Sequence, residues 1–275
     1  MAFIEKRCSD VLFHISSTLE HCEIAHGFST RVGGVSEGDF SSLNLRLGGG
    51  VMDTRENLEE NYRRFCRAIG ADERGVVPAK QVHEDTVRVV SRADAEGGLF
   101  APRSYTADAL ITNEVGLALT VYSADCGIFL LHDPVTHCIG AVHAGWRGTA
   151  LGLPSKAVAE MGRLYGAEPR NIRVAVGAGI GPCCFETDED VPAAMLKAFG
   201  SGASKYWKRS GEKWMVDLAS INCWQLCEAG VEAEHIDVCG LCTACCSDLY
   251  WSHRKMGDRR GVQAAMIALK GADNQ

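Results

Sequence analysis

Apolar positions along this chain fall into two patterns with different periods. In the first, β-branched and other apolar residues run almost without interruption over 86–91, 117–125, 127–133, 138–145, 171–179 and 263–270, which predicts strands. Several of these runs do not alternate with polar residues, so both faces of each strand must be covered by helices or by a second sheet. In the second pattern, Leu58, Tyr62, Phe65 and Ile69 share one helical stripe, with Thr54 placed to cap its start and Gly70 to end it. Pro154 suits the first turn of another helix whose Val158, Met161 and Leu164 should point inward, and further helices are predicted near 189–199 and 217–229. The two patterns are interspersed from end to end, without repeat, low-complexity linker or long charge run. The chain therefore reads as one α/β domain over 1–275, with the glycine-rich stretch "LRLGGGVMDTREN" as a loop inside it.

A length of 275 residues is ample for a large core, and a formal net charge of -7 gives no basic footprint for nucleic acid or an anionic membrane. No run is long and apolar enough to span a bilayer, and acidic residues interrupt the N-terminal stretch where an export signal would be apolar. The 13 cysteines are odd in number and carry no export signal with them, so reduced thiols in the cytoplasm are the expectation. A small polar partner suits this composition best.

Three short stretches place a reactive side chain at or just after the end of an apolar run: "KQVHED" with His83, "YSADCGIF" with Cys126 and "AVHAGWRG" with His143. Strand ends and the loops after them hold functional groups on a rigid base open to ligand. Two imidazoles and a thiolate make a three-ligand set for zinc, with a fourth position left for water or substrate. The same atoms also suit cysteine nucleophilic catalysis, with His143 or His83 as base and Asp125 or Gln81 as its orienter. Taken singly, each of the three is equally a core or surface residue of ordinary kind.

A denser cysteine pattern, Cys239, Cys242, Cys245 and Cys246 in "VCGLCTACCSD", reads literally as a metal run to which Cys183 or Cys184 of "GIGPCCFE" could add a ligand. The proline that follows the last cysteine of an iron–sulfur run is missing, so a thiol-rich buried turn is the preferred reading. "VAVGAGIGPCC" fails as a dinucleotide loop because Pro182 stands where the third spaced glycine belongs, and there is no phosphate-binding Walker loop. Arg31 and Arg147 each sit beside glycines, where a guanidinium and free amides suit a phosphate or carboxylate.

Taken in order, "HGFSTRVGGVSEGDFSSLNL", "KQVH", "ADALIT", "SADCGIFLL", "AVHAGWRGTA", "GAGIGPCCFE", "VDL" and "CTACCSDLYWSHR" resemble the YfiH-like family, also called the laccase-domain or polyphenol oxidase family, from about residue 26 to about residue 269. The resemblance implies a single α/β domain similar to the cytotoxic necrotizing factor type, with two mixed sheets sandwiched between helices. It implies a zinc-dependent purine nucleoside phosphorylase acting on adenosine, inosine, guanosine and 5'-methylthioadenosine, with adenosine deaminase activity. Carried onto this sequence, His83, Cys126 and His143 become the metal and catalytic residues, and Arg31 a candidate for the phosphate; beside the resemblance, Gln81, Asp125 and Arg147 are candidate substrate or phosphate contacts, with the role of Arg147 open. Inorganic phosphate is the co-substrate, and the protein is expected as a monomer or homodimer. The main alternative is a cysteine–histidine amidase that edits peptidoglycan precursors.

The oxidase label fits the residues poorly. A multicopper centre demands many histidines, commonly in His-x-His pairs, whereas this chain has nine histidines and no two of them are two positions apart. Copper could still occupy a site of two histidines and a cysteine, which binds it more tightly than zinc. Two departures from the family pattern stand out: Ile128 where proline is usual, and an altered "HRKMGDRRG" around Arg259 and Arg260. No H-x-E pair is present, so a deaminase proton shuttle is unassigned.

Overall fold

The computed structural model describes residues 2–48 and 53–271. Part of the glycine-rich stretch 45–57 thus lies outside the described residues. The strands are β1 (Phe3–Cys8), β2 (Val11–Ser16), β3 (Ile24–Ser29), β4 (Val76–Pro78), β5 (Val87–Val89), β6 (Ala109–Thr112), β7 (Ala118–Ser123), β8 (Gly127–Asp133), β9 (Cys138–Ala144), β10 (Arg173–Val176), β11 (Glu186–Thr187), β12 (Trp207–Ser210), β13 (Lys213–Val216), β14 (Ile236–Val238) and β15 (Gln263–Leu269). The helices are α1 (Arg55–Ile69), α2 (Arg92–Ala95), α3 (Trp146–Ala150), α4 (Leu153–Tyr165), α5 (Asp190–Phe199), α6 (Leu218–Glu228) and α7 (His253–Met256).

Two six-stranded mixed sheets form the centre, in the orders β1-β2-β3-β15-β7-β4 and β14-β10-β8-β9-β6-β5. In each sheet the pairings are antiparallel except at an end: β4 runs parallel to β7 in the first, while β5 with β6 and β14 with β10 are parallel in the second. A small third sheet, β11-β13-β12, lies beyond the two that the family resemblance implied.

The continuous apolar strands behave as their composition requires. Along β8, Ile128 and Leu130 face the first sheet and join Leu119, Val121 and Ile267 between the layers. Phe129 and Leu131 point the other way and pack with Val158 and Met161 of α4 and Leu226 of α6. The outer face of the first sheet, with Met266 and Ala268, is covered by Tyr62, Phe65 and Ile69 of α1. The result is four layers, helix, sheet, sheet, helix, with the central strands buried on both faces and the edge strands β1 and β5 partly exposed. Truncating a fully buried aromatic such as Phe129 to alanine would cost about 3–5 kcal/mol.

Helix boundaries follow local chemistry. The Thr54 hydroxyl accepts from Asn57 N–H, and Gly70, at φ 76°, closes α1 in the left-handed region. Pro154 lies in the first turn of α4. Leu164, expected inward, is instead 38% exposed: the buried stripe of α4 uses Ala157, Val158 and Met161, and one residue too far round faces solvent. No helix among the described residues is long and apolar enough to cross a membrane.

Candidate active site

His143 is the penultimate residue of β9, buried at 3% exposure, and its ring is fixed from behind. Its Nδ1 lies 2.8 Å from Oδ1 of Asp108, a carboxylate with no exposed surface. Because a carboxylate accepts, Nδ1 carries the proton and Nε2 is left for a ligand. The same carboxylate accepts the backbone N–H groups of Val82, His83 and Glu84 at 2.9, 3.0 and 3.1 Å. Asp108 thereby holds the loop after β4 in place, including His83 at φ 64°, a strained conformation for a side chain of this size. The His83 and His143 rings meet edge to face with centroids 4.9 Å apart.

Cys126 arrives from the turn between β7 and β8. Ser123 donates its hydroxyl to the Cys126 carbonyl at 2.6 Å, and Asp125, at φ 99°, is tied down on three sides. Its carbonyl accepts from Ile180 N–H at 2.7 Å, while its carboxylate accepts from the Thr243 hydroxyl at 2.6 Å and from Arg254 N–H at 2.7 Å. The turn is thus pinned, and the ligand atoms of His83, Cys126 and His143 lie within 4.8 Å of one another. A side chain at Gly145 could not coexist with this arrangement, since its Cβ would sit 2.8 Å from Cys126 Sγ. Gly148 has no such constraint, because a Cβ there meets only ordinary contacts.

Electrostatics follow from the packing. Burial resists charge on Cys126, but the charges and hydrogen bonds of His143 and His83 outweigh it and lower the thiol to about 6. Burial likewise resists charge on His143, yet the neighbouring Cys126 thiolate and Asp108 raise it to about 9. Both values express one interaction, a thiolate held against an imidazolium when no metal is present.

Two cavities meet at Cys126. One, of about 500 Å³, is bounded by Arg46, Gln81, Tyr122 and Arg260 as well as the three central residues. The other, of about 370 Å³, is walled by Trp146, Phe185, Leu218, His253 and Arg254. His83, Cys126 and Arg260 border both. A separate cavity of about 270 Å³ between 176–182 and 217–222 is bordered by none of the three central residues.

Of the residues expected to serve the site, His83, Cys126 and His143 come together, and Trp146 walls the cleft. Gln81 lines the larger cavity, but both ends of its amide are bound to the backbone of Tyr122, at 2.7 and 2.9 Å, so it braces the loop against β7 and orients neither imidazole. Asp125 likewise spends its carboxylate on anchoring. Arg31, expected at the phosphate, has a guanidinium that donates to the carbonyls of Ser41 and Ser247 and stacks on Trp251 at 4.1 Å, and it is not among the residues that line either cavity at Cys126. Arg147 is exposed, lies 4.1 Å over the Trp146 ring and also borders neither cavity, so it supports a wall of the cleft from outside.

Three arginines line the cleft, Arg46, Arg254 and Arg260, and the guanidinium of Arg254 is taken up by the carbonyls of Cys184 and Glu186. Arg46 donates to the carbonyls of Asp258 and Arg260, and Arg260 to that of Gly261, while the buried Nε of Arg260 has no hydrogen-bond partner among the described residues. Burial and the nearby charge of Arg46 hold the Arg260 guanidinium below its ordinary value. Sequence reasoning marked Arg260 only as part of an altered stretch, and missed Arg46 and Asp108. For Asp108 a signal existed in "ADALIT", because a carboxylate opening a fully apolar strand demands a buried partner.

Comparison with known proteins agrees with this architecture. Residues 25–270 match the family described as multi-copper polyphenol oxidoreductase laccase. Purine nucleoside phosphorylase YlmD of Geobacillus stearothermophilus is 34% identical over 248 residues, 89% of each chain. A purine nucleoside phosphorylase of Deinococcus radiodurans is 35% identical over 254 residues, 92% of each. The crystal structure of the Geobacillus stearothermophilus YlmD superposes with a TM-score of 0.89 at 30% identity, covering 98% of this chain and all of that one. That of Bacillus licheniformis YfiH gives 0.87 at 31%, covering 96% and 97%. By the extent of these matches, and by the two-sheet architecture they share, the chain belongs to the YfiH-like, laccase-domain family.

Proposed function

We propose that the cleft is a zinc-dependent purine nucleoside phosphorylase site that also deaminates adenosine. The observation that carries this reading is the junction of two lobes at one reactive centre: one walled by the aromatic rings of Trp146 and Phe185, the other reached by Arg46, with Arg260 at the border of both. The names of the relatives from Geobacillus stearothermophilus and Deinococcus radiodurans support it.

A purine is flat and gains from aromatic walls, so the lobe of Trp146 and Phe185 suits the base. The buried, unpartnered Nε of Arg260 calls for an acceptor, and a phosphate oxygen supplies one with charge assistance. With phosphate in one lobe and base in the other, the ribose spans the junction beside Cys126. In phosphorolysis a phosphate oxygen bonds to C1′ as the C1′–N9 bond breaks. The electron pair leaves with the purine, which takes up a proton, and ribose 1-phosphate remains. The role of Arg46 and Arg260 is to orient the nucleophile and offset its charge, which lowers the cost of assembling the two reactants.

His83, Cys126 and His143 suit a borderline-soft ion: their ligand atoms converge, and the Asp108 bond leaves His143 Nε2 free to coordinate. When bound, zinc supplies a Lewis acid that draws charge from the departing base and activates water for loss of the adenosine amino group. Copper suits the same donors, so the metal is determined by quantification rather than chosen from geometry. A laccase is disfavoured because the metal-competent sets among the described residues contain at most two histidines, too few for a multicopper centre.

The test is incubation of the metal-quantified protein with adenosine, inosine, guanosine and 5'-methylthioadenosine, with and without phosphate. Ribose 1-phosphate formed only with phosphate, and inosine formed from adenosine without it, are the expected products. A second reading is favoured by the Cys126–His143–Asp108 alignment, which also suits a cysteine amidase. Amide hydrolysis that survives complete metal removal and is lost in Cys126→Ala would select it.

A further inference from the structure

The Cys239–Cys246 pattern does not form the buried turn expected of it. The sulfurs that gather are those of Cys183, Cys184, Cys242 and Cys245, all within 4.8 Å of one another, while Cys239 and Cys246 stay outside the group. Cys183 and Cys245 are exposed, Cys184 is half-buried and Cys242 is buried. The Sγ atoms of Cys183 and Cys184 lie 3.5 and 3.4 Å from that of Cys245, and all four thiols are free.

Those separations distinguish the chemistries open to four cysteines. A disulfide requires about 2.05 Å between sulfurs, far less than either contact. Four thiolates around one zinc at about 2.3 Å stand about 3.8 Å apart along the edges of a tetrahedron, which the group approaches without bonding. An iron–sulfur cluster spreads its thiolates over several irons and needs a wider cage.

The surroundings are built to the same end. Gly181 N–H donates to Cys242 Sγ at 3.2 Å. Such N–H donors orient a thiolate ligand and offset its charge. Gly181 also permits the approach, because a Cβ there would lie 3.2 Å from Cys242 Cβ and 3.4 Å from Cys183 Sγ. The Arg254 guanidinium, bound to the carbonyls of Cys184 and Glu186, places a positive charge beside the group.

We propose that Cys183, Cys184, Cys242 and Cys245 bind one zinc ion in a closed, purely structural site, each ligating thiol giving its proton to solvent. The ion clamps the segment after β10 to the C-x-x-C turn after β14. Its consequence reaches the cleft through Asp125, which accepts from Ile180 beside one pair of ligands and from Thr243 between the other two. The site positions Cys126 from behind and touches no substrate, so it stands whether or not the cleft acts on nucleosides.

The test reconstitutes reduced, full-length Cys126→Ala protein with zinc, which leaves the cluster as the complete ligand set. One tightly held zinc per chain, with an all-sulfur shell by X-ray absorption, is the expected result. Adding Cys245→Ser, an exposed change, should release it, whereas Cys246→Ser should retain it; circular dichroism checks that each variant is folded. No bound zinc, a shell containing nitrogen, or equal loss in both serine variants of folded protein would overturn the proposal. Failure of nucleoside turnover alone would leave these readouts unmoved.

Discussion

Two groups of metal-competent side chains lie on either side of Asp125, and they are built in opposite ways. His143 stands on the second sheet and shares the Asp108 carboxylate with the backbone of His83, Cys126 sits on a turn pinned through Ser123 and Asp125, and the three open onto two cavities. Cys183, Cys184, Cys242 and Cys245 sit on two loops, partly exposed, with four donors and no fourth position to spare. Three ligands suit chemistry, because a site remains for substrate; four ligands from two separate loops suit a clamp, because coordination ties one loop to the other.

The largest effect that separates the two groups is expected from Cys126→Ala. Loss of a ligand and of the reactive sulfur should lower turnover at least on the order of 10³-fold while the cluster keeps its zinc, read by product assay and metal content together. Arg260→Gln comes next. Removing the guanidinium with the unpartnered Nε should raise KM for phosphate about 10²-fold and leave KM for the nucleoside nearly unchanged, measured by varying each substrate in turn.

Asp108→Asn acts through its neighbours. It places a donor against backbone N–H groups and weakens the hold on His143, so metal affinity should fall about 10–100-fold. In metal-free protein, alkylation of Cys126 should rise with pH through about 6, where the wild-type thiol ionises, and this midpoint should move upward in Asp108→Asn. The sign for stability follows from the same pair. Cys126 ionises more readily folded than unfolded, so its stabilisation is lost as pH falls through about 6. His143 holds its proton more tightly folded, so its stabilisation is lost as pH rises through about 9. Metal-free protein should therefore melt highest between those limits. The smallest effect is expected from Gly148→Ala, whose Cβ meets only ordinary contacts and should change turnover less than twofold, whereas Gly145→Ala should disturb Cys126 directly.

What could be read without coordinates depended on how local the cause was. The caps of α1, the stripe beneath them and the doubly buried β8 were legible because neighbours in sequence determine them. The N-terminal strands were not. In β3, "IAHGFS" carries a histidine and a glycine in a fully buried strand, and its stability depends on distant partners: His26 Nε2 accepts from Ser16 N–H at 3.0 Å, and β15 from the far end of the chain pairs alongside. His83, Cys126 and His143 were legible as candidates but became a set only through the order of motifs along the chain. The surroundings of Arg31 and Arg147 were not legible, because adjacent glycines signal a loop and say nothing about where a guanidinium finds acceptors. Arg46 gave no signal and Arg260 appeared only within an altered stretch, since only the fold shows that the buried Nε of Arg260 has no partner among the described residues.

The central claim, that the two lobes bring phosphate and purine nucleoside together at Cys126, is tested most directly with inosine and metal-quantified protein. Ribose 1-phosphate and hypoxanthine should appear in equal amounts only when phosphate is present, cease on metal removal and return with zinc. Release of hypoxanthine at the same rate without phosphate, or no release at all from folded, metal-loaded protein, would contradict it.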